Sequence, residues 1–114
     1  MILDSVRRYC MSLPHTTETV QWGSDLVFKI GGKMYAVAAT EPARVCVSFK
    51  CSAEDFAELS ERPGIIPAPY LARAQWVALE SEDALTTAEL NRQLRRAYDL
   101  VLAKLPKKTQ AALR

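Results

Sequence analysis

The sequence predicts a two-layer α+β fold, in which an antiparallel sheet (a meander plus a later strand) is packed on one face by N-terminal and C-terminal helices. Three observations carry this. Two β-favouring runs at residues 26–30 and 33–37 flank Gly31-Gly32, a pair suited to a two-residue hairpin turn whose central residues need positive φ. Residues 44–50 alternate between apolar and polar side chains, as a half-buried strand does. Amphipathic helical patterns open and close the chain.

Ile2, Leu3, Val6, Tyr9, Cys10 and Leu13 recur at helical spacing and predict a first helix that stops before Pro14. A loop is expected from Thr16 to Ser24, followed by the hairpin, a turn over Thr40-Glu41-Pro42-Ala43, and a third strand from Arg44 to Lys50. Ser52 with Asp55 gives a helix-start signal, and Phe56 and Leu59 supply the apolar face of a short helix ended by Pro63-Gly64. Pro67 and Pro69 exclude a regular helix beyond it, while Tyr70-Leu71-Ala72-Arg73 could form one turn. Gln75 to Glu80 reads as another strand. Thr86 with Glu89 opens the longest helix, whose buried side is Leu90, Leu94, Ala97, Tyr98, Val101, Leu102 and Leu105 and whose end is Pro106.

At 114 residues, with 49% hydrophobic and 25% charged residues, the composition is that of one soluble globular domain spanning 1–114. No apolar run approaches the roughly 20 residues that span a bilayer, and no signal-peptide pattern opens the chain, so a cytoplasmic location without membrane contact is expected. The three cysteines form no Cys-x-x-Cys pair and read as reduced, mostly buried thiols. The net charge of +2 does not by itself imply a polyanion partner. Basic residues do concentrate in the last third, whereas Glu54, Asp55, Glu58 and Glu61 make the middle acidic.

An uninterrupted hairpin pairs Lys29 with Met34, Phe28 with Tyr35 and Val27 with Ala36. Leu26, Phe28, Ile30, Tyr35 and Val37 then face the helices, as do Val45, Val47 and Phe49 of the third strand, with Val77 and Leu79 later. The opposite face displays Lys29, Met34, Arg44, Ser48, Lys50 and Trp76, together with Ala36, Ala38 and Cys46. That is a basic surface with an aromatic platform, suited to neutralising phosphates and stacking on a planar group. The plain alternative is a solvated face, with lysines that discourage edge pairing and Trp76 half-buried beneath a loop.

Several chemistries are disfavoured. His15 is the lone histidine and no Gly-x-Ser-x-Gly elbow is present, which argues against a hydrolase triad. Neither cysteines nor carboxylates fall at metal-ligand spacing, so no metal or cofactor is expected. Gly31-Gly32-Lys33 lacks phosphate-loop spacing and leads into a strand. Lys50 adjoins Cys51, which raises the question of an activated thiol, but a packing role is the simpler account.

An ordered set of short patterns resembles one family. Trp22-Gly23, Val27-Phe28-Lys29, Gly31-Gly32-Lys33-Met34-Tyr35, Phe49-Lys50-Cys51, Pro63-Gly64-Ile65-Ile66-Pro67, Trp76-Val77, Tyr98-Asp99-Leu100-Val101 and Lys104-Leu105-Pro106-Lys107-Lys108 together resemble the MmcQ/YjbR family of small bacterial proteins. The resemblance implies a fold similar to CyaY, the bacterial frataxin, and a DNA-binding protein with a double-wing motif. The iron-handling role of frataxins transfers poorly, because the first helix offers only Asp4 where an acidic ridge would begin.

The leading expectation is a non-enzymatic domain that binds DNA weakly through Lys29, Arg44, Lys50 and Trp76, assisted by Arg92, Arg95 and Arg96. Its dissociation constant should be on the order of 10⁻⁴ to 10⁻⁶ M at physiological salt. Two alternatives stay open. One is a small-ligand or anion-binding protein, an uncharacterised enzyme included, with a pocket at Lys29, Lys50 and Trp76 and walls from Tyr70 and Trp76; the other is a protein-interaction module.

Overall fold

The computed structural model describes residues 2–113. Helix α1 (Ile2–Ser12) precedes strands β1 (Thr17–Gln21), β2 (Asp25–Ile30), β3 (Lys33–Ala39) and β4 (Val47–Lys50). Then come α2 (Ala53–Leu59), β5 (Ile65–Pro67), a single 3-10 turn (Ala72–Ala74), β6 (Trp76–Leu79), α3 (Thr87–Lys104) and α4 (Lys107–Ala112). The six strands form one antiparallel sheet in the order β1-β2-β3-β4-β6-β5. The α+β class and the helix-covered antiparallel sheet are therefore as the sequence predicts.

The helix starts follow from their caps. Ser52 Oγ accepts the Asp55 backbone N–H at the start of α2. At α3 both halves of the capping box form, with Thr86 Oγ1 accepting from Glu89 N and Glu89 Oε1 accepting from Thr86 N. Each cap satisfies N–H groups that the helix itself leaves without partners. Pro106 ends α3 as expected, but the chain then starts a further short helix, α4, beyond the elements the sequence predicts.

Gly31 and Gly32 make the two-residue turn, at φ 59 and 80 degrees, between Ile30 and Lys33. The predicted register holds only next to the turn. Lys29 pairs with Met34, but a bulge follows, so that Phe28 pairs with Ala36, Val27 with Val37 and Leu26 with Ala38. One extra residue in one strand reverses the facing of everything beyond it. Ala36 and Ala38 therefore lie against the helices and Val37 on the opposite face, the reverse of the uninterrupted alternation. The extra residue, Tyr35, turns its ring into the core edge-on to Tyr98 and its hydroxyl onto Thr16 at 2.9 Å.

A second correction concerns the third strand, which begins at Val47 rather than Arg44. In the irregular approach to it, Val45 packs on the second face and Cys46 on the helix side, the opposite of the alternation expected. The segment expected as a loop from Thr16 to Ser24 contains β1, whose Glu18 pairs with Arg7 of α1.

The main core lies between the sheet and α1 and α3, where Tyr35, Phe28, Phe49, Ile30 and Leu94 are fully buried. A smaller cluster occupies the other side of the sheet. There Val27, Val37, Ala68, Trp76 and Ala78 are buried, partly under the segment running from β5 back to β6. Pro67 ends the three-residue edge strand β5, where a missing N–H is tolerated. Ala68 N donates to Trp76 O and Trp76 N to Leu71 O, which folds this segment over the sheet.

Candidate ligand groove on the second sheet face

The second face carries an open groove of about 500 Å³. Its floor comes from the sheet: Met34 and Val37 of β3, Ser48 of β4 and Val45 just before it. The β3 bulge is what places Val37 there. One wall is Trp22, in the β1–β2 turn, and the other is Pro69-Tyr70-Leu71, in the segment between β5 and β6. Asp25 and Ser48 are the polar members of this lining, which is otherwise apolar or aromatic.

Both aromatic walls stand out energetically. Trp22 is 63% exposed and Tyr70 fully exposed, so neither is held by packing. Both also have left-handed backbones, at φ 53 and 66 degrees, where an L-residue's Cβ crowds its own backbone at a cost of about 1 to 2 kcal/mol. Exposed, strained aromatic residues on opposite sides of an apolar concavity suit stacking on a flat ligand.

A second concavity of about 340 Å³ lies beyond Met34 and Leu71, which line both. Lys33, Lys50 and Lys104 surround it, and its apolar lining includes Trp76, Val101, Leu105 and Pro106. Lys50 lies opposite Trp76 in the β4–β6 register and donates through Nζ to the Ala74 carbonyl. Burial lowers the pKa of its ammonium, and the nearby charge of Lys104 acts in the same direction.

The predicted binding residues are not assembled into one surface. Lys29, Lys50 and Trp76 share the second face, but Trp76 is only 3% exposed and is roofed by its own loop, so it offers no open stacking platform. Tyr70 walls the groove, whereas Trp76 lines the neighbouring slot. Arg44 lies in the β3–β4 connection with its guanidinium 3.6 Å from Glu80. Arg92, Arg95 and Arg96 belong to α3, on the other layer; Arg95 pairs with Asp99, and Arg96 with Asp55. None of the three lines either concavity.

Trp22, Lys33 and Lys104 were not among the expected site residues. A signal for Trp22 existed in Trp22-Gly23, a turn pair between two β-favouring runs. Lys104 stood in the basic C-terminal third and in the Lys104-Leu105-Pro106-Lys107-Lys108 pattern, but its place beside Lys50 depends on the packing of α3.

The thiols are ordinary packed groups. Burial pushes Cys10 up to about 12 and Cys51 up to about 11, and it also raises Cys46. Cys51 Sγ donates to the Gln75 carbonyl at 3.1 Å.

The family model described as YjbR matches residues 11–100. The chain is also similar to a crystal structure of a Deinococcus radiodurans protein with the family-model domain DUF419. That match has 30% identity and a TM-score of 0.86, and covers 97% of this chain and 86% of the other. A Pseudomonas syringae protein of known crystal structure shares the fold at 20% identity and a TM-score of 0.69, covering 85% of this chain and 96% of that one. A comparison with curated proteins finds no match.

Proposed function

The chain belongs to the YjbR family, and we propose that within this family it acts as a binding protein for a small, flat, largely apolar ligand held between Trp22 and Tyr70. The supporting observation is the pairing of two exposed, left-handed aromatic residues across an apolar groove of about 500 Å³. That volume falls within the range of roughly 300 to 1,000 Å³ typical of small-molecule sites, which are mainly apolar with a few polar groups to set orientation. Asp25 and Ser48 would play that orienting part. A Deinococcus radiodurans relative at 30% identity supports a bacterial origin, and among the described residues no helix is long and apolar enough to cross a membrane.

Duplex DNA suits this face less well than the sequence alone suggested. Of the residues expected to contact it, Arg44 faces Glu80, while Arg95 and Arg96 lie on the helix layer, paired with Asp99 and Asp55. Single-stranded nucleic acid is the second candidate, because exposed Trp22 and Tyr70 could stack on bases at about 1 to 3 kcal/mol each.

Titration with uncharged N-phenyl-1-naphthylamine tests the groove. Saturable fluorescence enhancement is expected, weakened about tenfold by Trp22→Ala with Tyr70→Ala, in line with two aromatic contacts of ~0.5 to 1.5 kcal/mol each. Both side chains are exposed, so the double variant should stay folded. Absent saturation, or unchanged affinity in the folded double variant, would refute the groove. Displacement of the probe by oligothymidylate would make a nucleic-acid strand the occupant.

A further inference from the structure

We propose that the slot beside the groove is a distinct anion site, built for the dianionic head of a small phosphate ester with an apolar body. Lys33, Lys50 and Lys104 are among its lining residues, and no carboxylate residue is; of the three, Lys104 lies close enough to Lys50 for its charge to act on the Lys50 ammonium. Among the described residues none of the three takes part in an ion pair. Ammonium groups gathered without a counter-charge repel one another, and the slot's apolar walls keep that repulsion from being fully screened. A bound dianion reverses the sign of the interaction. Lysine serves phosphate as a compact point charge, without the planar fork that favours arginine for carboxylates.

Ordinary explanations cover these lysines incompletely. A lysine in the last turn of α3 would commonly serve the exposed helix-end carbonyls. Here Gln110 Nε2 donates to the Ala103 and Leu105 carbonyls, at 3.3 and 2.7 Å, so part of that task is met by a neutral group. Lys50 comes from the sheet, is partly buried and donates to the Ala74 carbonyl, which uses one of its three N–H donors and leaves the others for an anion. Lys33 opens β3 directly after the glycine turn, and that turn is pinned to the α3–α4 corner. A Cβ on Gly31 would lie 2.5 Å from Leu105 Cδ1, showing how closely the turn backbone packs on the Leu105 side chain. The three charges therefore sit on elements whose spacing is fixed before any ligand arrives, which lowers the ordering cost of binding.

The slot contains its own reporter. The chain has two tryptophans, Trp22 at the groove and Trp76 at the slot, so Trp22→Phe leaves Trp76 emission to follow the slot alone. In that background, phenyl phosphate should produce a saturable change at submillimolar concentration that weakens as salt rises. Phenol should produce none, and benzoate should bind more weakly. Lys50→Met should weaken phenyl phosphate at least tenfold, and the exposed pair Lys33→Ser with Lys104→Gln should do likewise without threatening the fold. Tyr70→Ala should change nothing, which separates this site from the groove. No saturation at millimolar phenyl phosphate, or affinity unchanged in the folded lysine variants, would overturn the proposal.

Discussion

Gly31→Ala puts the junction between the β2–β3 turn and the α3–α4 corner to a quantitative test. The residue has φ 59 degrees, and an added Cβ would stand 2.5 Å from Leu105 Cδ1 and 3.3 Å from Leu105 Cδ2. A left-handed alanine costs about 1 to 2 kcal/mol, and forcing Leu105 aside costs about 1 to 2 more, for a destabilisation of roughly 2 to 4 kcal/mol. Leu105 is itself only 6% exposed, which limits its retreat. Gly32 provides the control, since at φ 80 degrees it has nothing within 4 Å of an added Cβ. Gly32→Ala should therefore show the backbone penalty alone, about 1 to 2 kcal/mol. Urea unfolding followed by circular dichroism would measure both, as midpoint shifts at constant slope. In a heat scan the difference should be about 4 to 8 °C for a chain of this size. Leu105→Ala removes the obstructing methyls, so Gly31→Ala should cost less in that background, with a coupling of about 1 to 2 kcal/mol. Equal losses for the two glycine variants, or no coupling, would refute the close approach as a source of stability.

Two further outcomes follow from titrating groups. With Cys10 held near 12 and Cys51 near 11 by burial, and Cys46 also raised, iodoacetamide should modify the folded protein slowly at neutral pH and all three thiols quickly after denaturation. Rapid stoichiometric alkylation of one thiol in the folded protein would contradict this. Glu89 is held down at about 2, chiefly by its hydrogen bond from Arg62 and also by the Thr86 backbone N–H. Its folded-state pKa lies below the ordinary 4.5, so its contribution is present above about pH 4.5 and is lost as pH falls towards 2. Glu89→Gln should accordingly flatten the stability loss in that window; a loss as steep as the parent's would show that Glu89 is not its source.

Capping chemistry was the most legible part of the sequence, because Ser52 with Asp55 and Thr86 with Glu89 act over three residues and need no knowledge of the rest of the fold. The glycine turn was legible for the same reason. The bulge at Tyr35 was not, since alternation assumes one residue per pleat and gives no mark where a strand takes an extra one. That single step misplaced Val37, Ala36 and Ala38, and with them the apolar floor of the groove. β1 escaped because its Thr-Glu-Thr-Val-Gln run buries little, with all five residues exposed or only partly covered. Its pairing with β2 defines it instead. Trp76 was assigned to the correct face by alternation, and the covering loop offered as the plain alternative is present, closed by hydrogen bonds from Ala68 N to Trp76 O and from Trp76 N to Leu71 O, which bury the ring further than expected. The lysine slot keeps Lys50 and Trp76 of the pocket expected at Lys29, Lys50 and Trp76, but Lys33 and Lys104 take the place of Lys29, because the slot joins β3, β4 and α3 through tertiary packing.

The left-handed backbones of Trp22 and Tyr70 also bear on how this protein would respond to selection. Glycine at either position would relax the backbone, since it occupies positive φ readily. Neither ring returns the loss through packing in the unliganded chain, because both project into solvent. A library screened for thermal survival alone should thus drift towards glycine at both positions and erase the groove walls. The same library screened for ligand retention should keep the rings, so the two screens would diverge first at the residues where the fold's interest and the ligand's part company.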